Sequence, residues 1–169
     1  QWTTIPLAMH GRVVRRDGTF VDIRLGEEPD EPQFCVTDLL PHLGAEQMNK
    51  TLSKAIEGEN LNILIGSRPI RADKGSNLFK LNIMKLIHEK YDIVEEDFVS
   101  AEIEFVPAFP ARDVGFDKSM IGGYGHDDRV CAYPAIEAAI HCKTPKQTIL
   151  TVLADKEEVG SDGNTGLNS

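Results

Sequence analysis

The run Gln147-Thr148-Ile149-Leu150-Thr151-Val152-Leu153 leads directly into Ala154-Asp155-Lys156-Glu157-Glu158-Val159-Gly160, and no other stretch restricts the fold as strongly. Its β-branched, almost unbroken apolar character predicts a strand buried on both faces of a mostly parallel sheet. In open α/β sheets, reactive side chains converge just beyond the carboxyl ends of the strands. Asp155, Glu157 and Glu158 crowd such a strand end, where solvent, a cation or a hydrogen-bond network must offset their repulsion. Taken alone, the run also fits solvated charge opening a loop.

A second acidic pair lies upstream. Gly125-His126-Asp127-Asp128-Arg129 follows the glycine-rich Ile121-Gly122-Gly123-Tyr124 and precedes an amphipathic helix pattern from Val130 to Ile140. Asp127 by itself reads as a helix cap, since an acid there accepts backbone N–H bonds and suits the helix dipole. Paired with the Glu157-Glu158 turn it reads differently. The helix and the following strand form one α-then-β unit, and a parallel sheet brings both acidic pairs to one edge. Carboxylates grouped in this way suit divalent cations, and a closely spaced metal pair needs a bridging one.

The two motifs, Gly125-His126-Asp127-Asp128-Arg129 and Asp155-Lys156-Glu157-Glu158-Val159-Gly160-Ser161, resemble those of the aspartyl aminopeptidase-like family of dinuclear zinc aminopeptidases. The resemblance implies removal of N-terminal residues from peptides, with Asp127 bridging two zinc ions, Glu158 a ligand to one of them and Glu157 the general base. It implies that residues 2–106 are an inserted lid or dimerisation domain, and that residues 107–169 are part of a catalytic α/β domain. The implied fold class is therefore mixed α+β and α/β, a β-rich lid domain followed by a fragment of a zinc-peptidase sheet. In the family the catalytic domain is split by this insertion, with a His-x-Asp ligand motif before it and further Asp and His ligands after the Glu-Glu turn. The chain is thus expected to be the middle of a larger enzyme, holding about two of roughly five protein ligands and inactive alone. Asp128 departs from the Asp-Asn form of the acid-preferring members. A lid-domain histidine reaching a neighbouring subunit's active site is also implied; His42, in Leu39-Leu40-Pro41-His42-Leu43, is the best match and His10 its competitor. Homo-oligomers built from dimers follow from the same resemblance.

Two other classes compete. One is an oligomerisation or lid module without activity as an isolated chain, and the other a carboxypeptidase or deacylase of the wider dinuclear zinc hydrolase group. A formal net charge of −9 argues against nucleic acid or an anionic membrane as partner. Hydrophobic residues at 41% and charged residues at 27% predict a folded chain, with no apolar run approaching a membrane span. Cys35, Cys131 and Cys142, an odd number without a Cys-x-x-Cys pair, point to a reducing, cytoplasmic setting, with Cys131 and Cys142 packed in the core. A calcium loop starting at Asp155 lacks its closing glutamate, because Gly166 stands at the twelfth position. Gly122-Gly123-Tyr124-Gly125 matches neither phosphate-binding glycine motif.

Along the first hundred residues, the sequence predicts a hairpin from a strand before Arg16-Asp17-Gly18 and an alternating one over Thr19–Leu25. Short strands over Gln33–Thr37 and Asn60–Ile65 follow, with a short helix between Gly44 and Gly58. A helix opened by Lys74-Gly75-Ser76-Asn77 is expected to bury Leu78, Leu81, Ile83, Leu86 and Ile87. Phe98–Val106 alternates as a strand, and Pro107-Ala108-Phe109-Pro110 marks a crossing between domains.

Overall fold

The computed structural model describes residues 2–71, 75–163 and 165–168. Lys74, named above in the helix-opening turn, lies outside the described residues. The chain divides into two compact units, one ending at Pro110 and the other beginning at Ala111.

The first unit is built on the hairpin of β1 (Leu7–Val14) and β2 (Phe20–Leu25). Asp17 closes its turn, its carboxylate accepting from the Thr19 N–H at 2.9 Å and the Thr19 hydroxyl at 2.7 Å. The period of two is realised: Ile23 and Leu25 are buried while Phe20, Asp22 and Arg24 face outward. Short strands β3 (Cys35–Val36) and β4 (Ile63–Leu64) pair antiparallel, with α1 (Ala45–Met48) between them in sequence.

Helix α2 (Leu78–Tyr91) packs on the sheet through Ile87 and Tyr91, but Leu81 and Leu86 stay outside, each 52% exposed. The helical repeat marks an apolar stripe wider than the surface that covers it. The chain leaves α2 through Asp92 in the left-handed conformation and drives Ile93 into the core, fully buried among Met9, Val13, Ile23 and Leu25. Arg15 secures this exit, donating to the carbonyls of Tyr91 at 2.7 Å and Asp92 at 3.2 Å. These are free C-terminal carbonyls of α2, where a cation is favoured.

Strand β5 (Glu102–Pro107) pairs antiparallel with β1, giving the sheet order β2-β1-β5. The expected strand begins later than its alternation suggests, because residues Glu95–Ser100 form a 3-10 helix. Local side-chain bonds favour that turn: Asp97 accepts from the Val94 N–H at 3.0 Å, and Ser100 Oγ donates to the Asp97 carbonyl at 3.1 Å.

In the second unit, β6 (Arg112–Val114) and β7 (Met120–Gly122) form a short hairpin that precedes α3 (His126–His141). The expected strand Gln147–Leu153 is not part of any ladder among the described residues, and Leu150 is 84% exposed. A strand buried on both faces requires neighbours on its edges and layers above and below; the described part of this unit supplies neither. The same reason corrects the expectation for Cys131 and Cys142, which are exposed rather than packed. Among the described residues of this unit only Gly166 is buried.

Candidate metal centre

The loop Gly123-Tyr124-Gly125 connects β7 to α3, and Gly125 is the residue that turns the chain. Its φ of 80° is a left-handed conformation that a side chain disfavours. It occupies the N-cap position, and no side chain caps the helix there. Asp127 therefore does not act as the N-cap. With φ −83° and ψ 115°, Asp127 departs from helical geometry inside the first turn. The peptide joining Asp127 to Asp128 is cis.

The second acidic pair lies on a 3-10 turn, Glu157–Val159, bracketed by Lys156 and Gly160 in left-handed conformations. The turn is tied at its base. Asp155 N donates to the Thr165 carbonyl at 3.1 Å, and Thr165 Oγ1 donates to Asp155 Oδ2 at 2.9 Å. Ser161 N returns to the Lys156 carbonyl at 2.8 Å, and Asn168 Nδ2 reaches the Gly160 carbonyl at 3.2 Å. Gly166 is needed where this loop closes, since a Cβ there would meet the Ser161 carbonyl oxygen at 2.1 Å. The Asp155 carboxylate thus fastens the loop through Thr165.

These two elements bring Asp127 and Glu158 together. The Glu158 carboxyl is pushed above the usual glutamate range, first by the charge of Asp127 and then by that of Glu157. Partial desolvation, a hydrogen bond to the Asp127 side chain and the charge of Asp128 act in the same direction. All four carboxylates are exposed, so the repulsion acts through solvent as well as across the contact. Hard oxygen donors held together against their own repulsion are a donor set that a divalent cation would neutralise. Asp127 and Glu158 fit part of a zinc shell and not the whole of one. Among the described residues, no three His, Cys, Asp or Glu side chains form a metal-holding group.

The two candidate histidines belong to the first unit. His42 is exposed on the turn before α1, where the N–H groups of Leu43 and Gly44 both reach the Leu40 carbonyl, at 2.8 and 2.9 Å. His10 stands within β1, with Nε2 3.3 Å from Glu27 Oε1. His10 is half-buried beside Glu27, while His42 faces outward.

Sequence reasoning missed two residues beside Asp127. His126 Nε2 lies 3.0 Å from the Ile121 carbonyl oxygen. Arg129 Nη1 donates to the carbonyls of Tyr124 at 3.3 Å and Gly125 at 3.2 Å. The available signal was an arginine in the first turn of a helix, where the dipole disfavours a cation unless local acceptors compensate it.

A sequence model described as aminopeptidase I zinc metalloprotease (M18) matches residues 1–169. A probable M18 family aminopeptidase 1 of Clostridium acetobutylicum is 57% identical over 169 residues, covering 100% of this chain and 36% of that protein. The corresponding protein of Thermotoga neapolitana is 48% identical over 165 residues, covering 98% of this chain and 36% of its own length. The crystal structure of an M18 family aminopeptidase from Thermotoga maritima superposes with a TM-score of 0.84 at 46% identity, over 98% of this chain and 36% of that one. The chain therefore spans about a third of the length of the relatives it matches.

Proposed function

The chain belongs to the M18 family of zinc metalloproteases, and from that premise we propose that it is the part of a dinuclear zinc aminopeptidase that carries the bridging carboxylate and the general base. The observation that supports this most directly is that Asp127 and Glu158, carried by separate elements, act on one another, the charge of Asp127 being the largest cause of the raised Glu158 pKa.

Asp127 and Glu158 would hold the metal, Asp127 as the carboxylate shared between two ions and Glu158 as a ligand to one of them. A zinc pair bound there would acidify a water molecule and polarise the scissile carbonyl. Glu157, next to the ligand and itself not one, takes the proton of the attacking water and delivers it to the leaving amine. The short 3-10 turn suits that division, because successive residues on it point in different directions. Asp155 contributes by fixing the loop that presents both glutamates.

The first unit serves as a lid and subunit contact. His42 is exposed beside Leu39, Leu40 and Leu43, which are themselves 55%, 59% and 64% exposed. That surface suits burial against another subunit, where His42 would reach a neighbouring active site and steady developing negative charge. The assembly is a homo-oligomer built from dimers, acting on peptides with a free amino terminus. Three free cysteines suit a reducing cytoplasm, and no helix among the described residues is long and apolar enough to cross a membrane. The isolated chain is inactive on this reading, since Asp127 and Glu158 make up only part of a zinc shell.

The test uses the full-length enzyme with paired peptides that differ only in a free or acetylated amino terminus. Cleavage of the free form alone, abolished by chelation and restored by zinc, is expected. Hydrolysis of the blocked peptides would assign a deacylase or carboxypeptidase activity instead.

A further inference from the structure

We propose that Arg129 is a positioning residue for Asp127: its guanidinium fastens the glycine loop from inside the helix and so fixes where the acid stands. This rests on the reading of Asp127 as a metal carboxylate.

Arg129 is beside Asp128 and close to Asp127 in sequence, yet among the described residues its guanidinium forms no ion pair. Nη1 is directed backward instead, onto the carbonyl oxygens of Tyr124 and Gly125, at 3.3 and 3.2 Å. His126 Nε2, at 3.0 Å from the Ile121 carbonyl, secures the start of the same loop. Carbonyls at both ends of the stretch from Ile121 to Gly125 are thereby held by side chains of the first helical turn. The arrangement leaves the neighbouring carboxylates unclaimed by the nearest cation.

Gly125 and Arg129 interlock. A Cβ at position 125 would lie 1.9 Å from Arg129 Nη1, so the space beside this glycine is filled by the guanidinium. Gly125 therefore serves two ends, its left-handed turn and the room it leaves for the clamp. Asp127 stands two residues later, in non-helical geometry inside the first turn. Fixing the loop is what remains to set its direction. Residues that orient metal ligands typically change metal affinity or activity by about 10- to 100-fold when removed.

The experiment measures zinc affinity of the full-length enzyme by competition with a chromogenic chelator, beside kcat, KM and Tm. R129M should weaken zinc binding about tenfold and lower kcat, with KM little changed. R129K, which keeps a donor and the charge, should recover part of both, whereas R129Q should not. G125A should reproduce the loss, and its effect should shrink in the R129M background, because the clamp it displaces is already gone. A lower Tm with unchanged or tighter zinc binding would make Arg129 purely structural and overturn the proposal. If R129M fails to fold, the comparison of R129K with R129Q decides in the same way. D127N is the control for the underlying reading: if it leaves zinc affinity intact, the metal assignment itself fails, whereas D127N weakening with R129M and R129Q unaffected removes only the positioning role.

Discussion

Glu158, presented by the 3-10 turn, lies within electrostatic reach of Asp127 at the start of α3, and its carboxyl is pushed above the usual glutamate range. The charge of that aspartate is also the largest cause of the upward shift at Glu158. A divalent cation held by the two carboxylates would offset that repulsion.

The pH dependence follows from the direction of the shift. A carboxyl whose folded-state pKa is raised binds its proton more tightly in the folded than in the unfolded chain. Its contribution to stability is full below the usual glutamate value of 4.5 and is lost as pH rises through the elevated value. Zinc requires the ionised form, so in that same window its affinity should climb with pH. Carboxyl-carbon NMR of metal-free full-length enzyme should show Glu158 titrating above an ordinary exposed glutamate, and D127N should bring it down. A midpoint indifferent to D127N contradicts the pairing.

How much of this was legible depends on the range of the interactions. The β1–β2 hairpin reads directly from the alternation of Val21, Ile23 and Leu25 against Phe20, Asp22 and Arg24, since turn and pattern are both local. Leu81 and Leu86 mislead because a helical repeat marks an apolar stripe without specifying what covers it. Phe98 to Ser100 alternate like a strand but lose to the capping carboxylate of Asp97, a competition that composition alone does not resolve. The run Gln147–Leu153 has strand chemistry and no ladder, because pairing belongs to the partner strand as much as to the sequence. The β6–β7 hairpin went unread, its strands being three residues each and too short for a pattern. At the candidate site, the acidic pairs stand out in sequence. The backbone that brings them together depends on Gly125, Gly166 and side-chain-to-carbonyl bonds with no sequence period.

Ile93 should be the most sensitive core position of the first unit. It is fully buried where the chain leaves α2, packed among Met9, Val13, Ile23 and Leu25. Ile93→Ala removes that packing and should cost about 2–5 kcal/mol. Arg15→Met, which frees the carbonyls of Tyr91 and Asp92, should cost about 1–3 kcal/mol. Urea unfolding of the full-length enzyme, followed at the first unit, measures both; an Arg15→Met loss exceeding that of Ile93→Ala would reverse the ranking.

His42→Ala should lower kcat by about a hundredfold, the usual consequence of losing a donor to developing charge, with bound zinc unchanged. Co-assembly distinguishes action across subunits from action within one. Oligomers mixed from His42→Ala and Glu157→Gln subunits should regain activity that neither parent has, because intact halves of the site meet in some pairs. Mixed assemblies as inactive as their parents would place His42 in its own subunit or outside the chemistry.

The adjacent glutamates are separated by metal content measured beside kinetics. Glu157→Gln preserves size and hydrogen bonding and removes only the base, so zinc should stay near the wild-type amount while turnover falls about a hundredfold or more. Glu158→Gln removes an anionic ligand; one metal should then be held more weakly, and added zinc should partly restore activity. Asp127→Asn should be worse than either, because on the proposed reading a single carboxylate there would offset the charge of two cations. It also removes the largest cause of the raised Glu158 pKa, so that carboxyl should titrate lower than in the wild type even as metal is lost. Zinc loss in Glu157→Gln with retention in Glu158→Gln would exchange the two roles. Unchanged zinc and turnover in all three variants would remove the metal centre from this part of the chain.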